Sequence, residues 1–353
     1  MSNRANVSSV TYVAFLLAAI LCAAGSWGQT PEPPAPKGNP QVQPQPQLHT
    51  LNEVLKIMTD SRLTYDYGSV PDSIGANQEP PARPVLRSKQ YVKKVNGRPS
   101  LVEFTVTPEV QQQLNLINES NLARNYSFSL DFSRKALELD STYDYARTLI
   151  GDAFYLLEQY DSAIYWLKSS IKHNFADYEA HWFLADALLA KNDTAGALKE
   201  LTLAHVLNVN ASLLRQSLGE YRKLKGRTFD EREFRPYVKI EKKADTVFVR
   251  YNAEGEGYAL VKAVWAYEPG YAERMLGRKP DQVGFRMLEE REAVLCARET
   301  DSALNQHLAK IERAGYFDEF LLYEIAAPQF PEWVPTMPKD LIVRIAEYVD
   351  RFR

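Results

Sequence analysis

The chain has 353 residues, of which 45% are hydrophobic, so it is long enough for about two domains. Its 42 Lys and Arg residues nearly balance 45 Asp and Glu residues, for a net charge of -3. This balance gives no general reason to expect a nucleic acid or an anionic membrane as a partner.

Residues 1–28 have the pattern of a signal peptide. Arg4 precedes an uncharged apolar run from Tyr12 to Ala24, which is shorter than the ~20 residues that span a bilayer. The small residues that follow place a possible cleavage site before Gln29. We therefore expect an exported protein, in the periplasm, in the cell envelope or secreted. A lipid anchor on Cys22 is the alternative, and cleavage itself is left open.

The next segment, 29–49, is rich in Pro and Gln and is predicted to form an extended linker. If the leader is removed, Cys296 is the remaining cysteine, and no internal disulfide can form. Its neighbours are apolar, so we expect Cys296 to be buried.

Residues 50–109 are predicted to contain a helix and short strands. Thr50 and Glu53 have the spacing of a capping box at the start of the helix. Residues 63–86 are interpreted as a loop, and 89–107 as two strands around an Asn96-Gly97 turn.

A 34-residue period runs through 110–226. Three segments, 110–143, 144–177 and 178–211, align without gaps, and their shared small positions hold Gly151 and Ala185, then Ser129, Ala163 and Ala197. Leu218-Gly219 continues the series, and 212–226 is predicted to be a capping helix, because an open stack would expose its last apolar face.

This period, with its Leu-Gly pair, Tyr160 and spaced small residues, resembles the tetratricopeptide repeat (TPR). Residues 151–171 match best, whereas the first segment departs from the pattern with Ile117 and Ser129. The predicted fold class is therefore multidomain and mainly α: a TPR-like solenoid of antiparallel helix pairs, followed by a small α+β domain at 227–353. Small residues would let paired helices approach to ~8–10 Å.

The resemblance implies that the first helix of each repeat lines a concave groove. Carried over residue by residue, this partner-binding groove consists of Asn118, Asn121, Tyr145, Thr148, Asp152, Tyr155, Trp182, Asp186, Leu189, Gln216 and Glu220. Members of the family that clamp a peptide carboxylate use Lys and Arg here. Acidic residues stand at these positions instead, so we expect a partner segment with aromatic or aliphatic anchors and one or two Lys or Arg.

The C-terminal region is predicted to begin with strands at 237–240, 246–251 and 258–267, with a hairpin turn at 253–257. Helices are predicted over 300–314, 316–326 and from Pro338 to Arg353.

No catalytic or phosphate-binding motif is present in the sequence, so neither catalysis nor a cofactor is predicted. His173 and His181 lack a third metal ligand, and no metal is expected. The cluster of Glu289, Glu290 and Glu292 is interpreted as a solvated helix face.

These patterns together predict an exported TPR scaffold or adaptor that binds a protein or peptide partner and no nucleic acid. One alternative is a structural component of an envelope assembly. The other is a C-terminal domain with glycan-binding or hydrolytic activity, suggested by Tyr251, Tyr258, Trp265 and Tyr267.

Overall fold

A computed structural model of the chain describes residues 46–71, 83–230, 234–280 and 285–353. The predicted signal peptide and most of the predicted linker lie outside these residues. Up to residue 223, the elements in chain order are α1 (Leu51–Thr59), β1 (Thr64–Ser69), β2 (Gln90–Val95), β3 (Arg98–Glu103), α2 (Pro108–Leu122), α3 (Tyr126–Leu139), α4 (Tyr145–Leu156), α5 (Tyr160–His173), α6 (Tyr178–Ala190), α7 (Thr194–Leu207) and α8 (Ser212–Lys223).

The remaining elements are again mostly helical. In chain order they are β4 (Val238–Lys243), β5 (Thr246–Tyr251), a 3₁₀ turn (Ala253–Gly255), α9 (Glu256–Tyr267), α10 (Tyr271–Leu276), α11 (Met287–Thr300), α12 (Ser302–Arg313), α13 (Phe317–Phe320), a π-helical segment (Leu321–Ala326), α14 (Ala327–Gln329), a 3₁₀ segment (Pro331–Thr336) and α15 (Lys339–Phe352).

The chain divides into two compact units, and each unit is discontinuous in sequence. Of the described residues, unit 1 contains 46–71, 234–280 and 285–315, and unit 2 contains 83–230 and 316–353. The predicted segments 50–109 and 227–353 are therefore each divided between the units. Within each unit, segments that are far apart in the sequence pack together. Predictions made along the chain do not detect such contacts.

Unit 1 contains a three-stranded sheet in the order β1-β5-β4. Strand β1 pairs in parallel with β5, with Thr64 opposite Thr246, and β4 pairs antiparallel with β5. The prediction of a loop over 63–86 was wrong at β1. Its side chains are mostly exposed, so the sequence lacks the alternating apolar pattern that marks a strand.

The predicted turn at 253–257 and strand at 258–267 were also wrong. These residues form a 3₁₀ turn and helix α9, which begins at Glu256. Most residues of α9 are themselves buried, so its sequence is an almost continuous apolar run. Such a run does not distinguish a buried strand from a buried helix. Gly257 sits against the backbone of Cys296 in α11, an approach that leaves no room for a Cβ atom.

Three local predictions were confirmed: the capping box at Thr50, the hairpin around Asn96 and Gly97, and the burial of Cys296. Thr50 and Glu53 exchange side-chain and backbone hydrogen bonds at the start of α1. Strands β2 and β3 form a hairpin around Asn96 and Gly97, both with positive φ. Cys296 is buried, and its thiol donates to the carbonyl of His49.

Unit 2 is built on consecutive helix pairs, α2–α3, α4–α5 and α6–α7, followed by α8. The second helices begin at Tyr126, Tyr160 and Thr194, so the 34-residue period of the sequence is the period of the structure. The coarse prediction, a TPR-like helical repeat in a mainly helical chain, is therefore confirmed.

The turns that end the first helices and α8 repeat with the same period. The residues at 34-residue intervals, Arg124, Glu158, Asn192 and Gly226, have φ of 58°, 59°, 64° and 66°. Each following amide donates to the carbonyl five residues earlier, as from Gln159 to Phe154. This is the Schellman motif, which ends a helix and satisfies its last carbonyl groups.

Small residues set the close approach within the pairs. A Cβ atom on Gly151 would lie 2.5 Å from Cγ of Leu167, and Ala163, Ala185 and Ala197 are completely buried. These positions are the shared small sites of the sequence repeat.

The C-terminal segment of unit 2 covers helix α7. His205 in α7 contacts the hydroxyl of Tyr323 at 2.8 Å, and Arg222 in α8 donates to the carbonyl of Val349 in α15 at 2.8 Å. As a result α7 is buried on nearly all sides, which explains its continuous apolar sequence from Leu201 to Leu207.

Among the described residues, none of the helices has both the length and the apolar character that crossing a bilayer requires.

Candidate functional site

The candidate site is the face formed by the first helices α4 and α6 and by α8, called here the first-helix face. Seven of the predicted groove residues lie on it and are at least partly accessible: Asp152, Tyr155, Trp182, Asp186, Leu189, Gln216 and Glu220. Asn118 and Asn121 are also at least partly accessible, but they lie on α2. The remaining two are buried: Tyr145 is only 7% exposed, and Thr148 is completely buried.

Thr148 belongs to the packing between helices and not to a groove. Its hydroxyl contacts the Ser170 hydroxyl at 2.7 Å and donates to the Asp177 carboxylate at 2.6 Å. Thr148 was predicted to be exposed because it lies on the same side of its helix as the other candidates. In the structure its side chain instead lies against Ser170 and Asp177. Its assignment to the groove was therefore wrong.

Two carboxylates of α6 accept hydrogen bonds from tyrosines on α4 and α8. Tyr145 of α4 donates to Glu179 of α6, and Tyr221 of α8 donates to Asp186 of α6. Burial, the hydroxyl bond and neighbouring charges bring the pKa of Glu179 to about 7, with burial the largest cause. Burial also raises the pKa of Asp186, against the hydrogen bond from Tyr221.

Asp152 has the least compensated charge of this face. Burial, followed by the nearby charge of Asp186, raises its pKa to about 6. No hydrogen bond or ion pair to its carboxylate occurs among the described residues, and it remains partly accessible. A carboxylate that is largely desolvated and has no cation is energetically unfavourable until a cation is supplied.

Aromatic side chains lie beside these carboxylates. Tyr155 is partly exposed, and the charges of Asp186 and Asp152 add to burial in raising its pKa. Trp182, one helix further on, is also partly exposed. Rings next to carboxylates form a surface that suits a lysine or arginine side chain with apolar neighbours.

A cation of the protein itself lies at one end of this face. The Lys89 ammonium is 5.9 Å from the centre of the Tyr145 ring, and its charge lowers the pKa of Glu179. Lys89 does not contribute to the pKa of Asp152 or Asp186. Tyr221 was missed by sequence reasoning, because the equivalent positions in the earlier repeats are Ala153 and Ala187.

Each histidine of the pair that was considered as metal ligands has its own contacts within the protein. His173 contacts the carbonyl of Ser169, and His181 contacts Glu200 and the carbonyl of Phe175. Within the described ranges there is no group of three or more His, Cys, Asp or Glu residues arranged to hold a metal.

The acidic cluster in unit 1 is buried, so the prediction of a solvated helix face was wrong. Glu292 is completely buried and accepts bonds from the Trp265 indole, the Tyr271 hydroxyl and the amide of His49. Glu292 lies four residues before Cys296, on the same side of α11, so the predicted burial of Cys296 was the signal that could have indicated this.

Lys262 lies between Glu289 and Glu290 and bonds to both. Of the aromatic residues that suggested a glycan platform, Tyr251 is 5% exposed and Trp265 is 3% exposed. These two rings belong to the core of unit 1.

Comparisons with known proteins add little to this geometry. A scan against protein families finds no match, and a search of curated proteins finds none either. Among solved structures, the crystal structure of MamA protein matches with 14% sequence identity and a TM-score of 0.29, over 62% of this chain and 95% of that chain. At this TM-score the likeness carries no argument about the present chain.

Proposed function

We propose that the chain is an exported scaffold or adaptor and that its first-helix face binds an extended segment of a protein partner. The observation that carries the proposal is the pair Asp152 and Asp186 on the first helices of successive repeats, both largely desolvated and neither paired with a cation among the described residues.

The chemistry of the face defines the kind of partner segment. One Lys or Arg side chain would lie between Asp152 and Asp186, and a neighbouring apolar or aromatic side chain would pack on Tyr155 or Trp182. Burial makes such a charge pair stronger than an exposed one, because water no longer screens it well. Its formation would also relieve the cost that raises the pKa of Asp152.

The helical repeat supports the proposed role as a scaffold, because helical-repeat proteins commonly bind partners on their extended surfaces. Export rests on the sequence pattern of residues 1–28 and is tested separately, by measuring the mass of the mature N-terminus in the native cell. An unprocessed leader in a cytoplasmic fraction would contradict that part of the proposal.

A display library of short random peptides, selected on the immobilised full chain, tests the binding proposal. We expect selected peptides to share a Lys or Arg next to an aromatic or aliphatic residue. The variant Asp152→Asn/Asp186→Asn should bind them about tenfold or more weakly, since it removes both carboxylates.

The matched control is Glu138→Gln/Glu158→Gln, which removes the same charge at exposed positions outside this face. It should bind as the unaltered chain does. Selected peptides without basic residues, or equal loss in both variants, would reject the first-helix face as the site.

A further inference from the structure

A second concave surface lies in unit 2, between the second helix α7 and the C-terminal helix α15. It is a groove of about 940 Å³. None of its lining residues belongs to the first-helix face. Its floor is formed by Leu198 and Leu203 of α7 together with Val343 and Ala346 of α15, and the exposed Ala195 of α7 also lines the groove. It is therefore a separate candidate site, which does not depend on the function proposed above.

The floor is deep and apolar. Leu198 is 8% exposed, Leu203 is 3% exposed and Ala346 is 7% exposed, although all three line the groove. Thr202 also lines it, but it is only 2% exposed, and its hydroxyl proton is already donated to the carbonyl of Leu198 at 2.7 Å. The part of a ligand that reaches this floor must be apolar.

Because the floor residues expose little of their surface, the groove favours a narrow ligand. A docked helix is ~10–12 Å across with its side chains and needs floor residues that stand open to solvent. An acyl chain is narrower and can reach side chains that expose less than a tenth of their surface. The volume lies near the upper end of the ~300–1,000 Å³ that is typical of small-molecule sites.

The rim carries unpaired positive charge. Of the two acids in its lining, Asp350 pairs with Arg227 at 2.9 Å, and Glu347 accepts a hydrogen bond from Tyr316 at 3.0 Å but keeps its negative charge. Four cations, Lys199, Lys225, Arg227 and Arg351, line the groove against these two acids. Of these cations, Lys199 and Lys225 have no ion partner among the described residues. The rim is therefore complementary to an anion.

We propose that this groove binds an anionic amphiphile. Its acyl chain lies on the apolar floor between α7 and α15, and its carboxylate or phosphate head lies at Lys199 and Lys225. Hydrophobic burial of the chain contributes most of the binding free energy, and the two ammonium groups select the sign of the head group.

Isothermal titration of the full chain at low ionic strength, with probes below their micelle concentrations, tests this proposal. The probes are laurate, lauryl phosphate and dodecyltrimethylammonium. We expect saturable binding of at least one of the two anions with one site per chain, and the stronger of the two identifies the head group. The cation, with a chain of the same length, should bind at least about tenfold more weakly.

Two variants and one control variant assign the binding to the groove. Lys199→Glu/Lys225→Glu should weaken anion binding about tenfold, whereas Lys168→Glu/Lys172→Glu, at exposed positions on α5, should not change it. Ala195→Trp fills the groove from an exposed position and should abolish binding of the chain. Circular dichroism establishes that each variant is folded.

Several results would overturn the proposal. These are no saturable binding of either anion, equal binding of anion and cation, or unchanged affinity in both the Ala195→Trp and the charge-reversed variants. Binding of an acidic amphipathic helical peptide that is lost in Ala195→Trp, with no binding of laurate or lauryl phosphate, would assign the groove to a protein helix instead.

Discussion

Gly151 and Gly219 occupy the same position of repeats two periods apart, but their surroundings differ. A Cβ atom on Gly151 would collide with Leu167, whereas one on Gly219 would meet nothing within 4 Å. We predict that Gly151→Ala lowers the free energy of unfolding by about 1–3 kcal/mol through overpacking. Gly219→Ala should raise it by up to about 1 kcal/mol, since alanine is the better helix former.

Urea unfolding of both variants measures this difference. The same sign of change in both would contradict the close contact between α4 and α5. The shared small positions could be predicted from the sequence repeat, but the difference between the two glycines could not, because it depends on what packs against each helix.

The pKa of Asp152 makes stability depend on pH. Its value in the folded chain, about 6, lies above the ordinary value of 3.8, so the folded state favours the protonated carboxyl. The stabilising effect is present below pH ~4 and is lost as the pH rises through ~6. We predict that Asp152→Asn raises the free energy of unfolding by about 1–2 kcal/mol at pH 8 and changes it little at pH 4.

Urea unfolding at the two pH values checks this prediction. Asp161→Asn is the control, because the side chain of Asp161 is 85% exposed and its ion pair with Lys191 lies at the surface. It should have little effect at either pH. If Asp152→Asn were no more stable than the unaltered chain at pH 8, the charged carboxylate of Asp152 would not lower the free energy of unfolding.

At the scale of elements, the turn after each first helix places an ordinary residue in the left-handed region. Glu158 has φ of 59°, a conformation that costs a non-glycine residue roughly 1–2 kcal/mol. Glu158→Gly should therefore raise the free energy of unfolding by about 0.5–1 kcal/mol, after the greater freedom of glycine in the unfolded chain is counted. Thermal unfolding provides the measurement.

Glu138→Gly is the comparison, since Glu138 lies exposed within α3 and glycine there should lower stability by about 1 kcal/mol. A loss of stability in both variants would contradict the Schellman turn at Glu158. The sequence did not indicate the turns at Arg124 and Glu158, because these residues stand where glycine is the usual signal. Asn192 is a residue that also occurs at this position, and this signal was missed.

For the whole molecule, the features that the sequence did not predict are those that depend on residues far apart in the chain. Local signals predicted the capping box at Thr50, the hairpin at Asn96 and the 34-residue repeat, because each depends on neighbouring residues. The strand at Thr64 and the two discontinuous units depend on partners almost two hundred residues away. Asp152 and Asp186 could be placed on one face by the repeat, but their desolvation and the bond from Tyr221 required the packed structure.

The discontinuous unit 2 leads to a prediction about truncation. A chain that contains only residues 83–226 lacks the segment that covers α7, and it would expose the apolar surface around Leu201 and Leu207. We expect it to bind more of a hydrophobic dye than the full chain does, and to aggregate under conditions in which the full chain does not. A truncated chain that unfolds cooperatively with unchanged stability would show that Tyr316–Arg353 is not part of this unit.

Site-specific photo-crosslinking in the native cell tests the central claim, that a partner segment binds on the first-helix face, most directly. A benzophenone amino acid replaces Tyr155 on that face or Tyr165 on α5, whose side chain is 69% exposed. We predict one dominant crosslinked protein from position 155, lost when Asp152→Asn/Asp186→Asn is added, and none from position 165. Equal crosslinking from both positions, or capture from 165 alone, would contradict the account.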